Sequence, residues 1–549
     1  MIRRTLTALV AVLLLSTISA AAAEGTNYSD VPPTDWSVPA IQKATEYGLM
    51  QGVGEGKFGF SRSMDRASFV KVLCSIFAWD PVAPAVPSYR DCKPEEWYYT
   101  AVETALANGV LEPGSFFRPK DDISREDMAV MVMRALDYDQ LAASFAKTAL
   151  PFPDVTAHQG YIALAYRFGI LNGIPEADKL FFYPTRSAPR EQVAAILVRT
   201  YEKHTAKIDW LHGFYAFNSY PQIDFTAKMD GVSVGWARMS IDPVNGPYLN
   251  QTSAGGNDWT LPKQSALATD TFKKNGTPYH LCVFSSGKDL SALLATDQSQ
   301  AQGVTALVAA AADYAGLTID FEGLKEPSKA AFTAFMTALR TALPADKALY
   351  VCVQPPEWKI GYAGNNGYDF RALGQSCDKV ILMAHDYQHT SLPTGYLGTG
   401  KTDNPPTPFA EVCNALSAIT DPKTGVEDRS KIALAIAIAS AGYEVDAAGN
   451  IASATLANPG IETLAKRLRQ PEAVRGWSDV YRNPYLSYTV EDGKQYRVWY
   501  EDARSVSDKV TLAQMFGING VSLWRIGNLP NDPDPALHYD VWGEILKDR

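Results

Sequence analysis

Basic residues are in deficit: 50 Lys and Arg stand against 60 Asp and Glu, a formal net charge of -10 over 549 residues. Binding to a phosphate backbone needs basic patches, so nucleic acid is not an expected partner. Cysteine is sparse as well. Cys74, Cys92, Cys282, Cys352, Cys377 and Cys413 show neither Cys-x-x-Cys spacing nor the density of a disulfide scaffold, and Cys282 and Cys352, inside apolar runs, read as small buried hydrophobes, with disulfides the alternative. No metal or cofactor constellation is evident, because His385 and His389 lie four apart with no third clustered ligand. Long apolar runs are missing too: beyond the first two dozen residues nothing approaches the roughly 20 continuous apolar residues that a membrane-spanning helix needs. What is present at the start is a leader pattern. Arg3 and Arg4 precede an apolar stretch from Leu6 to about Ile18, and Ala20 to Ala23 offer a small-residue cleavage site. Residues 1–23 are therefore expected to be a secretory signal, and the protein to be exported. A hydrophobic content of 46% suffices for more than one core.

The N-terminal third repeats itself. The first copy carries Ser29-Asp30-Val31, Trp36, Tyr47-Gly48-Leu49, Phe58 and Asp65-Arg66-Ala67. The second carries Asp91, Trp97, Asn108-Gly109-Val110, Phe117 and Ser124-Arg125-Glu126. The third carries Asp154, Phe168-Gly169-Ile170, Tyr183 and Pro189-Arg190-Glu191. The spacing is about sixty residues, giving copies at 24–85, 86–145 and 146–205. Each reads as two helices joined by a Gly-rich turn, and such units must stack to bury their apolar faces. The pattern resembles the surface-layer homology domain, whose second helix opens with Thr-Arg-Ala-Glu or a variant. That resemblance implies an all-α module holding the protein, on the outside of a bacterium, to an anionic secondary cell-wall polysaccharide. Arg66, Arg125 and Arg190 would be its sugar-binding residues; a forked donor near a helix N-terminus suits a carboxylate-bearing sugar. The alternative is that each arginine satisfies a loop carbonyl.

From about Ile208 the rhythm changes to strands alternating with longer segments, the sign of a parallel α/β sheet. Apolar or β-rich runs occur at 211–218, 232–236, 279–284, 316–322, 349–354, 379–384, 431–438 and 520–524. Eight runs fit a (β/α)8 barrel over 206–549, a fold that commonly takes about 250 residues and grows by insertion. The spare length falls between the seventh and eighth runs. Tyr485, Tyr488, Tyr496 and Trp499 lie there with a turn at Asp492-Gly493, so a small hairpin-bearing lobe is expected to wall one side of a groove.

The fourth run, Gly316-Leu317-Thr318-Ile319-Asp320-Phe321-Glu322, sets two carboxylates two residues apart. Alternation in a strand points Thr318, Asp320 and Glu322 one way and Leu317, Ile319 and Phe321 the other. Two like charges at a partly dehydrated strand end cannot both ionise easily, so one keeps its proton near neutral pH. A solvated strand end is the bland alternative. Chemistry in such barrels sits where strands end at the C-terminal face. Tyr215, Gln354, Met383, His385, Asp386, Tyr387 and Trp524 close other runs and are candidate substrate contacts, with Thr318 beside the acids. Aromatics there can stack on sugar rings, although core filling is the common fate of any one of them.

These runs, with Val498-Trp499-Tyr500-Glu501-Asp502 and Gly520-Val521-Ser522-Leu523-Trp524, resemble glycoside hydrolase family 18, most closely its spore-cortex and cell-wall lytic branch. The family's fourth strand run ends Asp-x-Asp-x-Glu; Ala315 replaces the family's first Asp and Thr318 the next acid, so only Asp320 and Glu322 match. The resemblance implies retaining, substrate-assisted hydrolysis of a β-linked N-acetylglucosamine bond in peptidoglycan or a similar N-acetylated glycan. Glu322 would be the acid, Asp320 would orient the acetamido group that attacks, and Trp524 would floor the sugar. His385 stands where the family has a tyrosine. The departures at Thr318 and His385 keep open a second reading, a catalytically weak or inert glycan-binding or surface-layer protein on the same fold.

Overall fold

Asp30, Asp91 and Asp154 open their repeats in the same way, each turning its carboxylate onto backbone N–H groups of the loop that leads into the repeat's second helix. Asp30 accepts from Phe58, Gly59 and Phe60 at 2.7, 2.8 and 3.0 Å, Asp91 from Phe117 and Arg118, and Asp154 from Phe182 and Tyr183. Amides that would otherwise be left without partners are thereby satisfied. The computed structural model describes residues 28–359, 362–363 and 365–549 and divides between Thr205 and Ala206 into two units. The expected leader lies outside the described residues.

In the first unit the repeats supply helix pairs α1 (Val38–Glu46) and α2 (Arg66–Ile76), α3 (Tyr99–Ala107) and α4 (Arg125–Ala135), and α5 (Gln159–Arg167) and α6 (Arg190–His204). Asp65 caps α2 by accepting from Ser68 N–H, and Ser124 caps α4 by accepting from Asp127 N–H. Pro189 begins α6 without a side-chain cap. The three repeats close on themselves. Arg66 donates to Phe117 O, Arg125 to Phe182 O and Arg190 to Phe58 O, at 3.1, 2.7 and 2.9 Å. Each guanidinium also lies about 5 Å above the ring of the same phenylalanine. The first repeat is thus fastened to the second, the second to the third and the third back to the first.

The second unit is a closed barrel. Strands β1 (Trp210–Tyr215), β2 (Gly231–Asp242), β3 (Tyr279–Ser286), β4 (Gly316–Glu322), β5 (Ala348–Val353), β6 (Lys379–Leu382), β7 (Ile432–Ala437) and β8 (Gly520–Trp524) pair in parallel in that order. β8 pairs with β1 to complete the ring, and an antiparallel strand, Gly246–Asn250, adds to β2. The lumen is filled by Phe214, Cys282, Tyr350, Cys352, Ile381, Ala433 and Ala435. A polar chain crosses it lower down. His212 bonds Ser522 and Ser233 at 2.8 Å each, and Ser233 bonds Thr318 at 2.6 Å. Burial holds the His212 pKa well below its ordinary value, so the ring is neutral there. All six cysteines are free thiols, and all but Cys74 are buried.

The insert after β7 is larger than a hairpin. It is a five-stranded antiparallel sheet in the order Ile451–Ala457, Ser440–Val445, Gln495–Tyr500, Asn483–Thr489, Val474–Ser478. Tyr485 to Thr489 and the Gly493 turn form part of it. Among the described residues no helix is long and apolar enough to cross a membrane.

Candidate active site

The acid pair sits where β4 ends. Phe321 turns outward onto Phe332 and Phe335 of helix α7 (Lys329–Ala342), which leaves Thr318, Asp320 and Glu322 on the lumen face. The two acids differ in depth: Asp320 is 2% exposed, whereas Glu322 keeps partial access to solvent. Burial raises the Asp320 pKa well above the usual carboxylate range, and the neighbouring Glu322 charge raises it further. Glu322 is also raised, by burial first and by Asp386, against an opposing pull from His385. Both shifts favour a proton held on the pair, with its outer member positioned to hand it over.

Neighbouring strand ends hold Glu322 in place. Gln354 follows β5 and donates from Nε2 to Glu322 Oε2 at 3.3 Å, while its Oε1 accepts from Gly323 N–H at 2.9 Å. Gly323 has φ 74°, a left-handed turn that a larger side chain would strain, and this turn aims its N–H at Gln354. Tyr368 donates to Phe321 O at 2.8 Å and reaches Gln354 Oε1 at 3.4 Å. After β6, Asp386 takes φ 60°, and its carboxylate meets His385 Nδ1 at 2.9 Å. Both residues act on the Glu322 charge. Met383 and Trp524 pack against the upper lumen, with Trp524 edge-on to Phe214 at 5.1 Å. Gln354, Met383, His385, Asp386 and Trp524 are therefore brought together around the acids.

Three expected contacts are not. Tyr215 is 2% exposed and packs on Trp236 and on Phe272 of helix Ser265–Asn275, because odd-numbered residues of β1 face the helical layer. Phe214 faces the lumen instead. Thr318 is fully buried and spends its hydroxyl on Ser233, a layer too deep to touch a substrate. Tyr387 is buried as well, and the charge that reaches its hydroxyl is that of Glu411 on helix Phe409–Ile419. Trp259 was not foreseen. It stacks on Phe284 at 4.9 Å and 9° and lies 6.2 Å from Trp524, and Phe284 is the β3 partner of Asp320. A flat aromatic face thus adjoins the acids. Trp259 comes from a loop with no periodicity, so only its residue type could have flagged it.

In the first unit the arginines are structural first. Arg125 is 5% exposed, and two of its donors are used on Phe182 O and Asn172 O; Arg190 likewise holds Phe58 O and Gln51 O. Arg66 pairs with Asp127 at 2.6 Å in addition to Phe117 O. The arginines do border grooves between repeats. One of about 430 Å³ includes Arg66, Glu112, Arg134 and His158, and one of about 220 Å³ includes Trp36, Arg125, Asn172 and Gln192. Arg125→Ala should cost about 3 kcal/mol, since it strands two carbonyls that accept charged hydrogen bonds. That corresponds to about 6–12 °C in a unit of this size, read as the melting of the full chain. Unchanged melting would rule out the fastening role.

Three comparisons bear on this geometry. The family profile for glycosyl hydrolases family 18 matches residues 257–528, and the profile for the S-layer homology domain matches 27–70 and 88–129. The candidate sporulation-specific glycosylase YdhD of Bacillus subtilis (strain 168) is 26% identical over 227 residues, 41% of this chain and 49% of that protein. The cortical fragment-lytic enzyme of Bacillus anthracis is 25% identical over 245 residues, 44% of this chain and 53% of that one. The chain thus spans about half the length of these curated relatives. Among solved structures, the C-terminal domain of a candidate chitinase from Desulfitobacterium hafniense DCB-2 has the same fold. It matches with a TM-score of 0.50 and 20% identity, over 62% of this chain and 99% of that one.

Proposed function

We propose, for a chain that over residues 257–528 belongs to the glycosyl hydrolases family 18 and that carries S-layer homology repeats before it, a cell-surface glycosidase cleaving β-linked N-acetylglucosamine bonds of the wall. The observation that carries this reading is the stacked acid pair, with Glu322 partly exposed above a buried Asp320 whose ionisation it suppresses. Glu322 protonates the leaving glycosidic oxygen. The substrate's own acetamido oxygen attacks the anomeric carbon, and Asp320 orients that group and stabilises the positive charge that develops on it. Glu322 then takes a proton from the incoming water, and the configuration is retained. Gln354 keeps the Glu322 carboxyl in position through both steps. His385, held by Asp386, is the proposed donor to the acetamido oxygen. Trp524, Trp259 and Phe284 offer the flat apolar surface on which a pyranose ring stacks.

Attack by the acetamido group makes a sharp demand on the substrate. Reducing ends should be released from N-acetylated wall glycan and not from the same glycan after de-N-acetylation. A thiazoline analogue of N-acetylglucosamine should inhibit. Equal cleavage of both glycans would overturn substrate assistance. Cleavage of neither by folded protein would favour the inert glycan-binding reading, which His385 and Thr318 motivate.

The N-terminal repeats support retention on the wall through an anionic secondary polysaccharide. The inter-repeat grooves, rather than the arginines alone, are the proposed seat of that contact. Secretion by the expected leader completes this reading.

A further inference from the structure

We propose that Cys352 is a positioning residue for the reaction, its buried thiol holding the Asp320 carboxyl beneath Glu322 in place of the acid that would otherwise stand at position 318. The inference rests on the role given to Asp320 above and adds a residue to it. Strand register places the group: β4 and β5 pair Ile319 with Val351, so Asp320 and Cys352 stand next to each other with Cys352 facing the lumen. Cys352 is fully buried, and its thiol lies beside the Asp320 carboxyl, close enough to lower its pKa. One oxygen of that carboxyl, Oδ1, is buried with no hydrogen-bond partner. Thr318 offers nothing from below, since its hydroxyl is held by Ser233. An isolated carboxyl at this depth thus has a thiol as its neighbour across the strand pair.

The choice of donor has chemical consequences. Burial, and then the charge of Asp320, push the thiol pKa well up, so the sulfur keeps its proton and can donate to a carboxylate. An S–H group is a weak donor, and the bond fixes the carboxyl without trapping it when the substrate's acetamido group arrives. Because the thiol bonds the charged form, it lowers the Asp320 pKa against the opposing effects of burial and Glu322. Two further titratable groups act across the same space. They are the Cys282 thiol, level with Thr318 one layer down, and the Tyr368 hydroxyl, which is committed to Phe321 O.

The test is steady-state hydrolysis of a soluble N-acetylglucosamine oligomer by the full chain and its variants. Cys352→Ala should lower kcat about tenfold, the equivalent of about 1.4 kcal/mol, with KM within about twofold of wild type. Loss of the donor should also raise the pair's lower pKa and move the acidic limb of the kcat/KM profile to higher pH, which a merely structural role would not do. Cys352→Ser keeps a donor and should recover most of the rate. Cys282→Ala removes a thiol from the same lumen and should leave kcat and the profile where they were. Should the alanine variant fail to fold, Cys352→Val restores volume without a donor and carries the same expectation. Wild-type kcat and an unmoved acidic limb in the Ala or Val variant would overturn the proposal alone, as would equal losses in the Cys282 and Cys352 variants. A folded wild type that does not turn over the oligomer would overturn the assignment of Asp320 and this inference with it.

Discussion

Glu322→Gln should lower turnover of N-acetylated glycan by about 10²–10⁴-fold while leaving folding and glycan binding close to wild type. The amide keeps the size and shape of the carboxyl and can still meet Gln354, so the strand end has no reason to move. What it loses is a transferable proton. Among the described residues, Glu322 is the acid at the lumen's mouth that combines a raised pKa with partial exposure, and Asp320 beneath it is too deep to reach a leaving group. The same substitution removes a charge that raises the Asp320 pKa, so residual activity should persist to lower pH than in the wild type. Reducing-end release from wall glycan, with calorimetric binding of the same glycan, reads both halves. A rate within threefold of wild type would falsify the acid assignment.

The second large effect lies away from the chemistry. Glu501 follows the last strand of the inserted lobe and is buried with Lys509 of helix α8 (Ala503–Met515) at 3.3 Å. Its carboxylate also accepts from Asn483 Nδ2 and the Ser505 hydroxyl at 2.6 Å each, and from the Thr407 hydroxyl. Lobe strand, barrel helix and the loop after β6 therefore meet at one anion. Glu501→Gln should destabilise the barrel by about 3–5 kcal/mol, because Lys509 is left as a buried cation whose charge has lost its partner. Adding Lys509→Met should recover much of that loss, since removing both charges together avoids the orphaned ion. Urea unfolding of the full chain, following the transition that carries the barrel, distinguishes the two variants. Equal losses in the single and double variants would show that the ion pair is not what fastens the lobe.

Much of the architecture was legible because it depends on local periodicity. Asp320 and Glu322 alternate with Ile319 and Phe321, so their common face could be read from spacing alone. The three repeats were visible from the recurrence of their motifs. Tyr215 shows where that reasoning stops. A strand buried on both sides is apolar throughout, so the sequence does not say whether residue 214 or 215 faces the lumen. The lobe's first two strands follow β7 so closely that their share in a five-stranded sheet was not readable either. Trp259 joined the site from a loop, and no pattern in its neighbourhood announces that.

By itself the sequence determined the repeats, the number of barrel strands, and the presence of two acids on one face of the fourth strand. Each of these follows from which residue types recur at which short interval. Only the tertiary structure decided that the repeat arginines fasten neighbouring repeats, that Thr318 is spent on Ser233, and that a thiol from the fifth strand attends Asp320. Those outcomes depend on which groups from distant stretches of chain compete for the same buried hydrogen bond. Closing the barrel and stacking the repeats settles that competition, because it fixes which donor reaches which acceptor with water excluded.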